Sequence, residues 1–548
     1  MRRVFFLGLW IIHLVVIPVE GSSRSFQSSL NFPDALAELY REVPNEQQSA
    51  FGGIVQRLTA LYQDGLVSAE ADASIESSLQ MFMQGPFLLI PDVMNYLTVL
   101  DYIFSNREAD ILFQRWNAAL RAQIQQALPS QTALFIQWSS DLFTRNILST
   151  NRAVTWMLSP GDWEFDFTHE GSVVALNKGA VKGFAGRDST MIKDTSGRFL
   201  FNTNMWEGSG GKVSWQRTGW HPDSVYAMLQ NYSISMSGNG FTADSALLYH
   251  NRFNYSGLPG RLTERLKVEV VAESAIFPQF QSYDNSLVLE NVFPGIHLRG
   301  GFQLEGNQAS GIGKIGRPAS LEIHVNGQKA ILAHSLRFVL SPGEIFSSNT
   351  SVSIYIGTDS IWHGRASLKY VHSDRQLSLV RDGQGALGSP FVSSFHKVDI
   401  TNEAIYWQLD SHEIYFQAMR GVQRPVEVSI TSHYFFNQED FDRIKGINEH
   451  HPLSNLATFS RLTGTQEFYV FEYARFAKRL EREVRQEMIH LNSKGFVHFF
   501  KDEDRIVVTS RLFHALRANG NLADYNYCYV NYELTDKVVL ALSLLGYL

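Results

Sequence analysis

One cysteine, Cys528, stands among 548 residues, so no intramolecular disulfide can form and stability must come from burial and hydrogen bonding. Charge of one sign is scarce as well. The 47 Lys and Arg against 54 Asp and Glu leave a formal net charge of −7, which argues against a general polyanion binder. The opening apolar run, Val4 to Ile17, is 14 residues long, short of the roughly 20 that a membrane-spanning helix needs. Catalytic signatures are missing too: there is no Gly-x-Ser-x-Gly elbow, no Gly-x-x-x-x-Gly-Lys-Ser/Thr phosphate loop and no His-Glu-x-x-His zinc motif. On these grounds no catalytic residue, no metal ligand set and no cofactor is expected.

The chain does carry a clear opening. Met1-Arg2-Arg3 precedes the apolar run, and Pro18, Glu20, Ser22 and Ser23 close it, the order of a secretory signal peptide cleaved after Gly21. An uncleaved anchor is the competing reading. No cysteine sits near the cleavage point, so lipoprotein processing is not expected. An exported chain of this size without a cysteine pair fits a bacterial envelope, in the periplasm or at the outer membrane. Aromatic residues are plentiful, with 38 Phe, 21 Tyr and 10 Trp, enough for sizeable cores and for binding faces.

Hydrophobic periodicity predicts an α+β multidomain protein. Residues 30–150 read as an N-terminal helical array, with segments at Asp34 to Tyr40, Phe51 to Tyr62, Glu76 to Met83, Val93 to Phe104, Ala109 to Ala127 and Thr132 to Leu148. An α-solenoid of helix pairs is one form this array could take. Residues 160–435 read as a large antiparallel β region, a sandwich, barrel or solenoid. Its strands include Leu266 to Val270 and Leu321 to Val325, the latter followed by the hairpin turn Asn326-Gly327. Residues 440–520 read as helices at Pro452 to Leu462, Glu467 to Phe476 and Leu480 to Ser493, then a hairpin from Gly495 to Thr509, the order of a winged-helix-like domain. Residues 521–548 read as the start of a further β segment, so the sequence could be the front part of a longer protein.

Five features invite a chemical reading. Asp162, Glu164 and Asp166 fall on one face of a strand, where paired carboxylates could serve glycoside hydrolysis or hold calcium, or simply form the wet side of an edge strand. Trp206 and Trp215 flank the bend Gly208-Ser209-Gly210-Gly211, with Trp220 close behind. These indoles could stack on sugar rings or anchor sheets from within. Gly311-Ile312-Gly313-Lys314-Ile315-Gly316 matches the dinucleotide fingerprint, but Arg317-Pro318 and a strand follow where a helix is required, so the glycines read as a close strand approach. His450-His451 lacks a third ligand at a recognisable spacing and reads as a helix entry. The helix Leu480 to Ser493 balances its Arg and Glu residues, so no nucleic acid is expected there.

The order of leader, helical array, β region with Trp206 to Trp215 and the glycine-rich stretch Asn291 to Gly313, then a winged-helix-like segment, resembles large uncharacterised exported proteins of Bacteroidota. That resemblance brings no assigned activity. The β segments are also similar in strand spacing to the sheets of envelope lipid-transport proteins, the AsmA-like and lipopolysaccharide-transport group. The resulting expectation is an exported envelope structural or interaction protein without catalytic activity, docking a protein partner. Lipid or glycan binding or transport by the β region, and a glycan-active enzyme using Asp162, Glu164 or Asp166, are the alternatives.

Overall fold

A computed structural model describes residues 32–106, 108–159, 162–268, 275–381, 389–417, 426–445, 450–525, 529–534 and 540–543. The leader, Cys528 and the end at Leu548 lie outside the described residues. The chain is α+β with a large antiparallel β region. It divides into two compact units, one running to Lys182 with Ser196–Trp206 added, the other made of Gly183–Thr195 and the chain from Glu207 onward.

In the first unit the helices form where the apolar period placed them: Phe32–Glu42, Gln48–Gln63, Ala69–Gln84, Met94–Phe104, Ala109–Gln126 and Pro129–Arg145. Local chemistry sets their ends. The Ser68 hydroxyl accepts the Ala71 amide at 3.3 Å, Pro129 opens its helix at the first turn, and Asn146 closes that helix in the left-handed conformation at φ 58°. Met94–Phe104 buries Tyr96, Leu97, Val99, Leu100, Ile103 and Phe104 and packs against Gln48–Gln63, Ala109–Gln126 and Pro129–Arg145. Its partners lie one or two helices away along the chain, the contact pattern that stacked helix pairs also give.

In the second unit antiparallel strands run almost without interruption. Several are long enough to bend and change partners. Ile296–Glu305 begins between Leu287–Phe293 and Ala319–Val325, then continues between Gln279–Ser282 and Gln308–Ile312. The switch falls at Gly300-Gly301, where a Cβ on Gly300 would lie 2.8 Å from both the Ala319 Cβ and the Ile312 carbonyl oxygen. Glu344–Ile356 switches from Arg337–Leu340 to Gln328–Ser335 across register shifts between Ser347 and Val352. Asp359–Val371 switches likewise, from Phe391–Ser393 to Gln376–Arg381. The strands thus feed two layers, and contacts such as Phe391 with Phe416, at 6.2 Å between ring centres, fill the space between them.

Two strand expectations need adjusting. The hairpin at Asn326-Gly327 forms as read, with φ 51° and 79° at the turn. Leu266 and Lys267, by contrast, follow the end of strand Tyr255–Arg265 and belong to no strand. Leu266 is held by Asn239, whose backbone carbonyl accepts its amide at 2.7 Å and whose side-chain amide donates to its carbonyl at 2.9 Å, and the Lys267 amide donates to Asp188. Residues 269 and 270 of that expected strand lie outside the described residues.

The last part of the second unit is a helical segment on a small sheet. Helices Pro452–Thr463, Val470–Ala477, Glu481–Ser493 and Ser510–Asn519 surround a core that includes Leu456, Tyr473, Met488, Val497, Ile506 and Leu512. Strands Glu467–Tyr469, Arg505–Val508 and Val497–Phe500 pair in that spatial order. The expected helix from Glu467 to Phe476 is therefore a strand and then a helix. Tyr469 stays extended because the Glu472 carboxylate, three residues on, accepts its amide at 2.7 Å and starts the helix there. His451 is the entry residue of Pro452–Thr463, accepting the Leu453 amide at 3.2 Å and stacking on Phe441.

Candidate functional site

The residues singled out from sequence take distinct positions. Trp206 and Trp215 are 0% exposed, and the Trp215 indole donates to the Pro278 carbonyl at 3.0 Å. Of the two readings for these indoles the internal anchor is the one realised, because stacking on a sugar requires an open ring face. Trp220 is half-buried and meets His250 edge-on at 5.2 Å. On strand Asp162–Thr168, Phe165 points inward and Glu164 outward, while Asp166 accepts the Phe167 amide and lies 3.6 Å from the Arg115 guanidinium. The Asp162 side chain lies outside what the structure describes. Gly311 and Gly313 lie at a close approach: a Cβ would come within 2.3 Å of the Leu298 side chain and 2.2 Å of the Ala319 nitrogen respectively.

A built site lies elsewhere, within the second unit, where the helical segment meets strands Val398–Thr401 and Val426–Ser432. These strands pair so that Asp399 faces Thr431. The Asp399 carboxylate is 7% exposed, is bonded by the Arg511 guanidinium, and lies 3.3 Å from His433 Nε2 without the alignment of a hydrogen bond. Arg511 enters from the first turn of Ser510–Asn519 and packs 5.5 Å from the centre of the Phe496 ring. Gly495, at φ 75°, admits both groups, since a Cβ there would sit 3.2 Å from Asp399 Oδ2 and from Arg511 Nη1. The buried Nε of Arg511 has no partner among the described residues.

Asp399 and Arg511 line a pocket of about 440 Å³. Aromatic side chains, Phe435, Phe436, Phe441 and Phe496, contribute its walls, and Asp440 and Lys494 bring charges of both signs. Close to Asp399 and His433, burial pushes the His498 imidazole down to about 4, with the Asp399 charge opposing the shift. The ring is therefore neutral at ordinary pH.

A smaller cleft, about 100 Å³, lies on the other side of Asn492, between the strands and the turn Lys501 to Asp504. Asn492 joins the walls by donating to the Ser389 hydroxyl at 2.8 Å and accepting the Phe499 amide at 3.0 Å. In that cleft burial lowers the pKa of His334 and raises that of Asp502. Arg365 is fixed there by a 2.6 Å bond to Asn349.

Chemically, the larger pocket offers fixed hydrogen-bonding groups beside ring faces. Asp399 is bound by the Arg511 guanidinium, so it is poorly placed to take a proton from water or give one to a leaving group. Among the described residues no group of three His, Cys, Asp or Glu side chains could hold a metal ion, and no helix is long and apolar enough to cross a membrane. Sequence reasoning missed this pocket because Asp399 and Arg511 are 112 residues apart and neither sits in a motif. The aromatic pair before Asn437 is the one local cue. Comparison with protein-family models, curated proteins and solved structures finds no match for the chain.

Proposed function

We propose that this chain is an exported envelope protein whose role is recognition, not catalysis, and that the pocket above Asp399 binds a carbohydrate segment. One observation carries the reading: a half-buried guanidinium and a buried carboxylate, bonded to each other, line a 440 Å³ pocket together with phenylalanines, and the guanidinium Nε has no partner among the described residues. Sugars present apolar ring faces and hydroxyls that both donate and accept, which this mixture of aromatic and charged side chains matches. The order helix, strand, helix, helix, strand, strand in 452–508 is read as winged-helix-like, here a wall of the ligand site and not a reader of DNA. The leader Met1 to Gly21 supports export.

Calorimetric titration of the whole secreted protein with envelope polysaccharide fragments tests this reading. Saturable binding that weakens at least ten-fold in Lys494→Ala and Asp440→Asn supports it. Binding unchanged in both variants, or none by folded protein to any fragment, overturns it.

A further inference from the structure

The helical segment exposes large apolar side chains where a closed surface would be polar. Leu462 is 71% exposed, Leu480 56%, Phe471 51%, Tyr469 43% and Phe476 39%. All five fall within nineteen residues, on helix Val470–Ala477 and the two ends that flank it. Two of them touch, and a third packs on a neighbour of Leu462 along its helix. The Tyr469 and Phe471 rings stack at 6.0 Å, and Phe476 meets Phe459, one turn before Leu462, at 5.0 Å.

The charges around them are sorted. Arg479 is paired with Glu483 and Glu487, Arg485 with Glu481 and Asp504, and Arg505 with Glu467 and Glu503. Glu472 caps the Tyr469 amide. Arg461, Arg475, Lys478 and Arg482 are exposed and make no ion pair or side-chain hydrogen bond among the described residues. Phe471 and Arg475 are four residues apart and share one face of that helix, and Lys478 follows its end in the left-handed conformation at φ 53°. On a chain of net charge −7, this leaves a local surface of exposed rings and leucines among unneutralised cations.

We propose that this face docks on an anionic lipid surface. The apolar side chains would enter the headgroup boundary while the four cations meet phosphates. A nucleic-acid backbone would satisfy the cations but leave five large apolar groups against phosphate. The long Arg and Lys stems suit a flat interface, because they keep their charge at headgroup level while the rings go deeper.

Flotation of the full chain with vesicles decides the matter. The protein should float with mixed phosphatidylglycerol and phosphatidylcholine vesicles, stay behind with pure phosphatidylcholine, and be released by high salt. Each neutralised cation should weaken binding about five-fold, so Arg475→Gln/Lys478→Gln together should lose about twenty-five-fold. Phe471→Ser should weaken binding without changing its salt dependence. Circular dichroism identifies folded variants, and all these positions are exposed, so folding should survive. No flotation with anionic vesicles by folded protein overturns the proposal, as does a double variant that floats like the parent. Retention on immobilised polyglutamate without vesicle binding also overturns it and points to an acidic protein partner. This test is independent of the carbohydrate pocket, whose variants leave the face intact.

Discussion

Arg217→Met should be among the most damaging single changes in the second unit. The guanidinium uses all five of its N–H donors: on the Phe277 carbonyl at 3.2 Å, on both Asp188 oxygens at 3.0 Å, on Glu264, and on the Arg265 carbonyl at 3.2 Å. Asp188 and Glu264 are 3% and 1% exposed, so removing the cation strands two carboxylates in a dry site. The loss is about 3–5 kcal/mol, a large share of the roughly 5–15 kcal/mol that holds a domain together. Burial already pushes the Glu264 carboxyl from 4.5 up to about 7, with Arg217 pulling the other way. Between those values the folded chain keeps a proton that the unfolded chain releases, so the Glu264 contribution to stability is full below pH 4.5 and is lost as pH rises through 7, by about 3 kcal/mol. Without Arg217 the Glu264 pKa climbs further, and the variant's deficit should widen on the alkaline side. Urea unfolding followed by tryptophan fluorescence at both ends of that window measures it, with Glu264→Gln as the control that flattens the slope. A deficit independent of pH, together with a Glu264→Gln variant that keeps the wild-type slope, would refute the reasoning.

Three further outcomes follow from single contacts. Gly313→Ala should destabilise by about 1–3 kcal/mol, because its Cβ would meet backbone at 2.2 Å; a neutral effect in thermal unfolding would show that the strand approach is looser than drawn. Trp215→Phe should cost about 1–2 kcal/mol through the lost bond to Pro278, with no change in ligand or vesicle binding. His363 is held as the Nε2–H tautomer by the Arg365 amide on Nδ1 at 3.1 Å and the Ser389 carbonyl at 3.2 Å, and burial pushes it down to about 3. Its contribution is full above pH 6.5 and lost as pH falls toward 3. Nitrogen NMR of the folded protein should show a ring that stays neutral through pH 5, and titration near 6.5 would contradict its burial.

Helices and tight turns were legible because their signals are local. The 3.6-residue period located the six α-helices among the described residues of the first unit, and Asn326-Gly327 marked its hairpin, since positive φ at two successive positions favours those residues. Strand pairing was not legible in the same way. Ile296–Glu305 alternates like any half-buried strand, yet it has four partners, and only the pair Gly300-Gly301 hints that it turns between layers. Helix Ser510–Asn519 has no counterpart among the expected elements although it buries Leu512, Ala515 and Ala518 at helical spacing, because ten residues show too few turns for the period to stand out. The candidate site was illegible for a different reason. Asp399, His433 and Arg511 each look ordinary in sequence, and only the pairing of Val398–Thr401 with Val426–Ser432 and the packing of a helix over them makes a pocket.

The two buried arginine clusters show how a fold with one cysteine can separate fastening from recognition. Arg217 is closed: every donor is used, its carboxylates take further amide and hydroxyl donors, and nothing is left for a ligand. Such a cluster gives little net stability once desolvation is counted, but it penalises any packing that separates its members, which can specify one arrangement of strands where no disulfide is present. Arg511 is open. It locks Asp399 in the same manner, yet keeps a buried Nε without a partner among the described residues beside 440 Å³ of space. An unpaired buried donor costs about 1–3 kcal/mol, and a ligand oxygen that reached it would recover that energy on binding. On the function proposed above, the same chemistry serves as a fastening in one place and as an incomplete site in the other.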